Sequence, residues 1–165
     1  MGWRAWRGRP AALPAPAAIA PGVPTEDLVC AYPPRAGLEP VEETRRIPKT
    51  ADAQERLLAL LVELHRPPVS AAAVPIFTPG SAPRAAFLSP DGTAWCDEPS
   101  AALDRPLGVR DELLAIRALA RSLVRNMPEA RSLVVLVDGA TRPRFGLHLP
   151  AAGRWLLPRV ATARR

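Results

Sequence analysis

The sequence has few of the residues on which catalysis, metal binding or membrane insertion depend. Its 165 residues include 2 Cys, 2 His and 1 Tyr, and aromatic residues make up 5%. It contains no run of about 18 consecutive apolar residues, which excludes a membrane-spanning helix. The 21 Pro and 10 Gly show no G-X-Y period, which excludes collagen. With 48% hydrophobic and 23% charged residues, the composition is typical of one globular domain.

Motifs that bind nucleotides, zinc or acyl groups are also missing. The sequence has no G-x-S-x-G, H-E-x-x-H, P-loop or G-x-G-x-x-G. His65 and His148 are far apart, and neither has a second ligand at metal-binding spacing. We therefore expect both histidines to be structural, and the protein to have no catalytic, cofactor-binding or metal-binding residues.

Five other residues could carry chemistry, and each has a simpler structural interpretation. Cys30 and Cys96 stand in apolar runs and are expected to be buried free thiols. Asp97 and Glu98 follow a predicted strand, where we expect a solvated pair of carboxylates at the start of a loop. Asp138-Gly139 is the sequence of a tight turn.

The net charge of +6 is concentrated at the two ends of the sequence. Residues 1–26 hold three Arg and one acid in an Ala/Pro-rich segment, and residues 159–165 hold three Arg and no acid. The remaining residues, 27–158, hold 16 basic and 15 acidic side chains. These patterns predict a flexible basic leader (1–26), one domain (27–158) and a basic tail (159–165). They also raise an alternative function, binding of nucleic acid or another anionic surface through the Arg-rich termini.

Two segments have the apolar spacing of amphipathic helices. In residues 52–66, Leu57, Leu60, Leu61 and Leu64 share one face, Asp52 is placed as the N-cap, and Pro67-Pro68 end the helix. In residues 111–127 the corresponding positions are Leu113, Ile116, Leu119, Leu123 and Met127, and Pro128 follows.

The remaining periodic segments predict strands. Residues 28–32 form a short apolar strand, and residues 38–47 form an edge strand or extended arm. Pro90-Asp91-Gly92 turns a hairpin with arms 84–88 and 93–96. The run LVVLV (133–137) is a buried central strand, and residues 144–149 are predicted to return beside it.

The order of these elements predicts an α+β fold in which two amphipathic helices pack on one face of a small mixed β-sheet. The other sheet face is then left to solvent or a partner, and strand edges are available to an added strand. On the second helix, Arg117, Arg121 and Arg125 follow one another at four-residue spacing. They form the candidate partner-binding face, although a solvated face opposite the apolar stripe has the same pattern.

From Leu28 to Pro158 the sequence resembles the GerMN domain family of sporulation and spore germination proteins. The resemblance begins with LVCAY and LLALLVELHRPP and continues through FTPGSAPRAAFLSPDGTAWCD. Its most recognisable part is ELLAIRALARSLVRNMPEARSLVVLVDG, and GLHLPAAGRWLLP is similar to the closing segment. Met127 replaces an aromatic residue of the family pattern, and Cys96 replaces an aliphatic one.

The resemblance implies a non-catalytic bacterial interaction domain associated with sporulation or the cell envelope. Its implied fold is similar to the ring-building modules of secretion assemblies, in agreement with the α+β prediction. The implied partner is an envelope protein or a second copy of the chain, and nucleic acid is the weaker candidate. The family implies an extracytoplasmic or membrane-associated location, whereas these residues show no lipobox cysteine and only a Pro-interrupted apolar stretch near the start.

Overall fold

The computed structural model describes residues 13, 19–105, 107–144, 146, 148–150 and 153–158. Most of the predicted leader and all of the predicted tail, 159–165, lie outside the described residues. The elements follow in the order β1 (Thr25–Tyr32), β2 (Val41–Pro48), α1 (Ala53–Leu64), β3 (Ala85–Leu88), β4 (Thr93–Glu98), a 3₁₀ turn (Ser100–Ala102), α2 (Val109–Asn126), β5 (Ser132–Val137) and β6 (Trp155–Leu156). The first strand therefore includes the last two residues of the predicted leader.

The described strands form two sheets instead of the one that was predicted. β1 and β2 form an antiparallel pair, and the other four strands lie in the order β3-β4-β5-β6. β4 and β5 are parallel, while the other neighbours in this sheet are antiparallel, so the sheet is mixed. Two helices with antiparallel and mixed sheets confirm the predicted α+β class.

Helix α1 begins after Asp52 as its sequence predicts, and it ends at Leu64, before the predicted end at residue 66. The Asp52 side chain accepts the Glu55 N–H at 2.8 Å, and Glu55 in turn accepts the Ala51 N–H at 2.9 Å. The first contact satisfies an N–H group that a helix start leaves unpaired, and the second holds Ala51, the residue before the N-cap, against the first turn. All four leucines of the predicted apolar face are fully buried.

Helix α2 buries a slightly different face from the one predicted. Leu119 and Leu123 are fully buried as expected, but Leu113 is 49% exposed and Leu114 takes the inward position. α1 contacts β1 and β3, and α2 contacts β1, so the helices join the two sheets through one core. The central strand β5 is buried at every residue, as the LVVLV run predicts.

The predicted strand over residues 144–149 is wrong for the residues that are described there. The backbone of Arg144 takes part in an isolated bridge with Pro150 outside any strand, and β5 instead pairs with the short strand β6. The buried Glu112 carboxylate of α2 accepts the backbone N–H groups of His148 and Leu149, at 3.1 and 2.8 Å. A helix side chain thus takes the hydrogen bonds that a neighbouring strand was expected to take.

The predicted turns are confirmed at Asp138-Gly139 and Pro90-Asp91-Gly92, and a further turn lies at Pro79-Gly80. Asp138 and Gly139 both have positive φ, and Val137 and Ala140 exchange backbone hydrogen bonds across them. Such a two-residue turn requires this left-handed conformation, which explains why Gly follows Asp.

Candidate interaction surface

The three arginines of the candidate partner-binding face lie exposed on α2, and each is paired with a carboxylate. Arg117 Nη2 lies 3.2 Å from Glu39, Arg121 Nε lies 2.5 Å from Glu42, and Arg125 Nε lies 3.6 Å from the same Glu42. Glu42 belongs to β2, so the arginine row is connected to the edge strand. Because the side chains keep 43–52% of their surface exposed, solvent weakens these ion pairs, and a competing carboxylate could replace them.

The strand β1 cannot accept a further strand, because α2 occupies its second edge. The Asn126 side chain accepts the Val29 N–H at 2.9 Å and donates to the Val29 carbonyl at 2.8 Å. One turn earlier, the Ser122 hydroxyl accepts the Ala31 N–H at 2.9 Å. These side chains satisfy the backbone groups that an unpaired strand edge would otherwise leave buried without partners.

The opposite edge of this sheet, on β2, is open. Along each strand of an antiparallel pair, successive residues direct their backbone N–H and C=O groups alternately toward and away from the neighbouring strand. Val29 and Ala31 of β1 direct theirs away from β2, toward α2. By the register of the pair, Val41, Glu43 and Arg45 of β2 direct theirs toward β1. The backbone N–H and C=O groups of Glu42, Thr44 and Arg46 consequently point outward. Within the described chain they have no hydrogen-bond partner, and all three residues are exposed or nearly so.

In the second sheet, the outer edge of β3 is partly closed by a helix. The Gln54 amide of α1 donates to the Ala86 carbonyl and accepts the Leu88 N–H at 3.0 Å. The solvent-side face of this sheet carries an apolar groove of about 400 Å³ lined by Phe87, Trp95 and Leu136, among others. One face of a sheet was predicted to be left to solvent or a partner, and the face that carries this groove is such a face.

The prediction of a solvated Asp97–Glu98 pair is wrong, most clearly for Glu98. The Glu98 carboxylate is fully buried and its Oε2 lies 2.7 Å from Nε2 of His65, which is equally inaccessible. His65 Nδ1 lies 2.9 Å from the Ser81 hydroxyl, and the imidazole stacks on Phe77 at 4.2 Å. Burial raises the pKa of Glu98, and the hydrogen bond from His65 counteracts this shift in part.

Asp97 is also engaged, at the turn after β5. Its carboxylate accepts the Gly139 N–H at 2.8 Å and pairs with Arg84 at 3.3 Å. Arg84 also lies 3.6 Å from Asp138. The two adjacent acids thus point to opposite sides of β4, as strand geometry requires, and the inward one meets a histidine.

The cluster of serine, histidine and glutamate contains the residue types of an acyl-transfer triad. Its histidine and glutamate, however, are not accessible to a substrate. Both ring nitrogens of His65 are occupied, and the Ser81 hydroxyl already donates to the Thr78 carbonyl at 2.6 Å. A base must reach both a nucleophile and a substrate. A fully buried imidazole that joins α1 to β4 and to the Pro79-Gly80 turn is suited to holding these elements together.

The other positions singled out in the sequence have structural surroundings. Cys30 and Cys96 are buried free thiols, as predicted, and burial raises the pKa of Cys30 to about 12. His148 Nδ1 lies 3.1 Å from Glu112. Among the described residues, no group of three His, Cys, Asp or Glu side chains could hold a metal ion, and no helix is both long and apolar enough to cross a membrane.

Comparison of the fold with solved structures places the chain in a known structural class. It superposes on the first GerMN domain of the sporulation protein GerM from Bacillus subtilis with a TM-score of 0.63 and 12% identity, covering 80% of this chain and 97% of the other. The tandem GerMN domains of the same protein give a TM-score of 0.62 and 15% identity, covering 86% of this chain and 49% of the other. A candidate lipoprotein from Clostridium perfringens gives a TM-score of 0.56 and 15% identity, covering 85% and 93%.

The chain therefore has a GerMN-like fold, as its sequence predicted. No protein-family model matches the sequence, and no curated protein matches it. At 12–15% identity, these structural similarities define the fold alone.

Proposed function

We propose that this protein is a non-catalytic, sporulation-associated interaction module of the bacterial envelope, and that it binds an extended segment of a partner protein along the open edge of β2. The association with sporulation is supported by the GerMN-like fold, which the sporulation protein GerM shares. The binding mode is supported by one observation, the row of outward backbone groups at Glu42, Thr44 and Arg46.

Strand addition suits this edge because its backbone groups are already arranged to receive a partner. Alternate residues of β2 present N–H and C=O groups in one direction, and β1 holds the strand in register from the other side. An added strand gains main-chain hydrogen bonds without any rearrangement of the domain. The charged sequence VEETRRIP, which ends in Pro48, discourages indiscriminate pairing of this exposed edge.

The arginine row on α2 gives this edge a preference for acidic segments. Glu42 carries two of the three arginine contacts and stands on the edge strand itself. Acidic side chains on an added strand would face the same arginines and compete with Glu39 and Glu42 for them. The partner is therefore proposed to be an extended segment rich in Asp or Glu, with the arginines setting specificity and association rate.

The test compares two substitutions at one edge residue. Thr44→Pro removes the outward N–H and no described hydrogen bond, whereas Thr44→Val keeps the N–H and changes only the side chain. A partner is recovered with the wild-type chain from sporulating cells, purified, and titrated against each variant. We expect Thr44→Pro to weaken binding at least about tenfold and Thr44→Val to bind as the wild type does.

Two further measurements decide the geometry. Amide hydrogen exchange at Glu42, Thr44 and Arg46 should slow in the complex, and Arg117→Glu with Arg121→Glu should weaken binding, while Arg154→Glu, a remote arginine paired with Asp91, should not. Equal affinity of Thr44→Pro and wild type would remove the β2 edge from the proposal. Self-association that Thr44→Pro abolishes would identify a second copy of the chain, instead of another protein, as the occupant.

A further inference from the structure

A second surface feature is a cavity at the start of α2, away from the β2 edge. Its volume is about 190 Å³. The apolar part of the wall comes from Pro34, Val74, Pro75 and Leu107, on three separate loops. The polar part comes from three arginines, Arg35, Arg105 and Arg110, and from Asp111.

The three arginines are held in place mainly by backbone carbonyls. Arg35 Nε donates to the Ala71 carbonyl at 3.1 Å, and Arg105 Nη1 donates to the Pro75 carbonyl at 2.9 Å. Arg110 donates to the Gly37 carbonyl at 2.6 Å and lies 3.3 Å from Asp111. Each guanidinium is therefore positioned at the cavity by only part of its five N–H donors.

The charge of the cavity wall is not balanced. Arg110 has Asp111 as its counter-ion, but neither Arg35 nor Arg105 forms an ion pair with any described residue. Elsewhere in the described domain, arginines such as Arg45, Arg66 and Arg121 do face a carboxylate. Two arginines that are fixed by neutral carbonyls and share one cavity present a net positive charge to whatever enters it.

We propose that this cavity binds a carboxylate carried on a short apolar body. A carboxylate matches the planar fork of a guanidinium and is held by two parallel hydrogen bonds. The proline, valine and leucine side chains provide a surface for the few carbon atoms behind it. The volume lies below the roughly 300–1,000 Å³ of sites for drug-sized molecules, so the ligand is a small organic acid or a single acidic side chain.

The experiment is an NMR titration of the full chain that monitors the Nε–H signals of Arg35 and Arg105. The probes are propionate, glutamate capped at both ends, and inorganic phosphate, all at constant ionic strength. We expect saturable shifts of both signals with a carboxylate probe, and no such shift at Arg154, an exposed arginine that pairs with Asp91 away from both proposed sites. A stronger response to capped glutamate than to propionate assigns the ligand to a protein side chain, and the reverse assigns it to a free acid.

Variants provide the second measurement. The double substitution Arg35→Gln and Arg105→Gln replaces two guanidinium groups by neutral amides, and it should weaken carboxylate binding by about tenfold or more. The matched control, Arg154→Gln, should bind as the wild type does. The proposal is overturned if the wild-type signals respond no more than that of Arg154 does, if only phosphate binds, or if the double variant binds carboxylate with unchanged affinity.

Discussion

The imidazole Nε2 of His65 lies 2.7 Å from Oε2 of Glu98, and both side chains are completely shielded from solvent. This contact joins the end of α1 to the end of β4, residues that are far apart in the sequence. The second carboxylate oxygen, Oε1, is buried without a partner among the described residues. A charge on this carboxylate is therefore costly, which is the physical reason for the raised pKa.

The first prediction is a pH dependence of stability that originates at Glu98. Burial raises its pKa above the ordinary 4.5, so the folded protein holds this proton more tightly than the unfolded chain does. The stability that Glu98 contributes is fully present below about pH 4.5 and is lost as the pH rises through the raised pKa. Relative to Glu98→Gln, which cannot titrate, the wild type should lose unfolding free energy as the pH rises through this window, on the order of 1 kcal/mol per pH unit.

Urea unfolding of both proteins across this pH range measures the effect. Glu129→Gln, at an exposed position, is the matched control for the same chemical change. If the differences from wild type follow the same pH course for the two variants, the buried pair does not control this dependence.

The second prediction concerns the closure of the β1 edge by α2. Asn126→Ala leaves the Val29 N–H and C=O groups without partners in a buried place, because Asn126 is only 6% exposed. Each unsatisfied buried group costs about 1–3 kcal/mol, so we expect a loss of roughly 2–4 kcal/mol in unfolding free energy.

Gln54→Ala is the natural comparison, since Gln54 makes the same two kinds of hydrogen bond to the edge of β3 but is only partly buried, whereas Asn126 is buried. Water can replace it there, and the expected cost is about 1 kcal/mol or less. Equal losses of unfolding free energy for the two variants would show that burial of the strand edge does not determine the cost.

The third prediction separates two reasons why a position requires glycine: a left-handed backbone conformation and a lack of space for a Cβ atom. Gly92 and Gly80 have nearly the same backbone φ, +79° and +84°, but a Cβ on Gly92 would lie 2.6 Å from the Glu129 carbonyl oxygen, whereas one on Gly80 would meet nothing within 4 Å. Gly80→Ala should cost about 1–2 kcal/mol through the left-handed conformation alone. Gly92→Ala should cost a further 1–3 kcal/mol or so through the clash, as measured by chemical denaturation. A smaller loss of unfolding free energy for Gly92→Ala than for Gly80→Ala would contradict this prediction.

The fourth prediction is that both cysteines are unreactive in the folded protein. Burial raises the pKa of Cys30 to about 12 and that of Cys96 well above its ordinary value. Only the thiolate reacts with alkylating agents, and neither side chain is accessible. Iodoacetamide at about pH 8 should label neither residue until denaturant is added, when mass spectrometry should show two modifications. Labelling of one cysteine in the native protein would locate a locally open segment.

Local sequence patterns predicted much of the fold. The leucine spacing and the Asp52 cap define α1, the Pro90-Asp91-Gly92 turn defines the β3–β4 hairpin, and LVVLV defines the buried strand β5. Each of these features depends on residues within one turn of helix or one hairpin. The sequence is therefore sufficient to specify them.

Contacts between distant residues could not be predicted in the same way. Glu98 was expected in solvent because no local pattern shows that His65 will meet it, and the ion pairs of Arg121 and Arg125 with Glu42 also depend on tertiary packing. The predicted strand at residues 144–149 fails because Glu112 of α2 takes the backbone N–H groups of His148 and Leu149. The row of arginines on α2 was predicted from helical spacing, but the carboxylates that pair with it were not.

The side-chain amides of Asn126 and Gln54 restrict how copies of this domain could associate through their sheets. With β1 closed by α2 and β3 partly closed by α1, and with β6 only two residues long, the described domain has one long strand edge that can be extended. Two copies joined edge to edge would each use that single site and leave none for a third. Pairing through β2 would thus end at a closed dimer with twofold symmetry, and could not continue into a fibre.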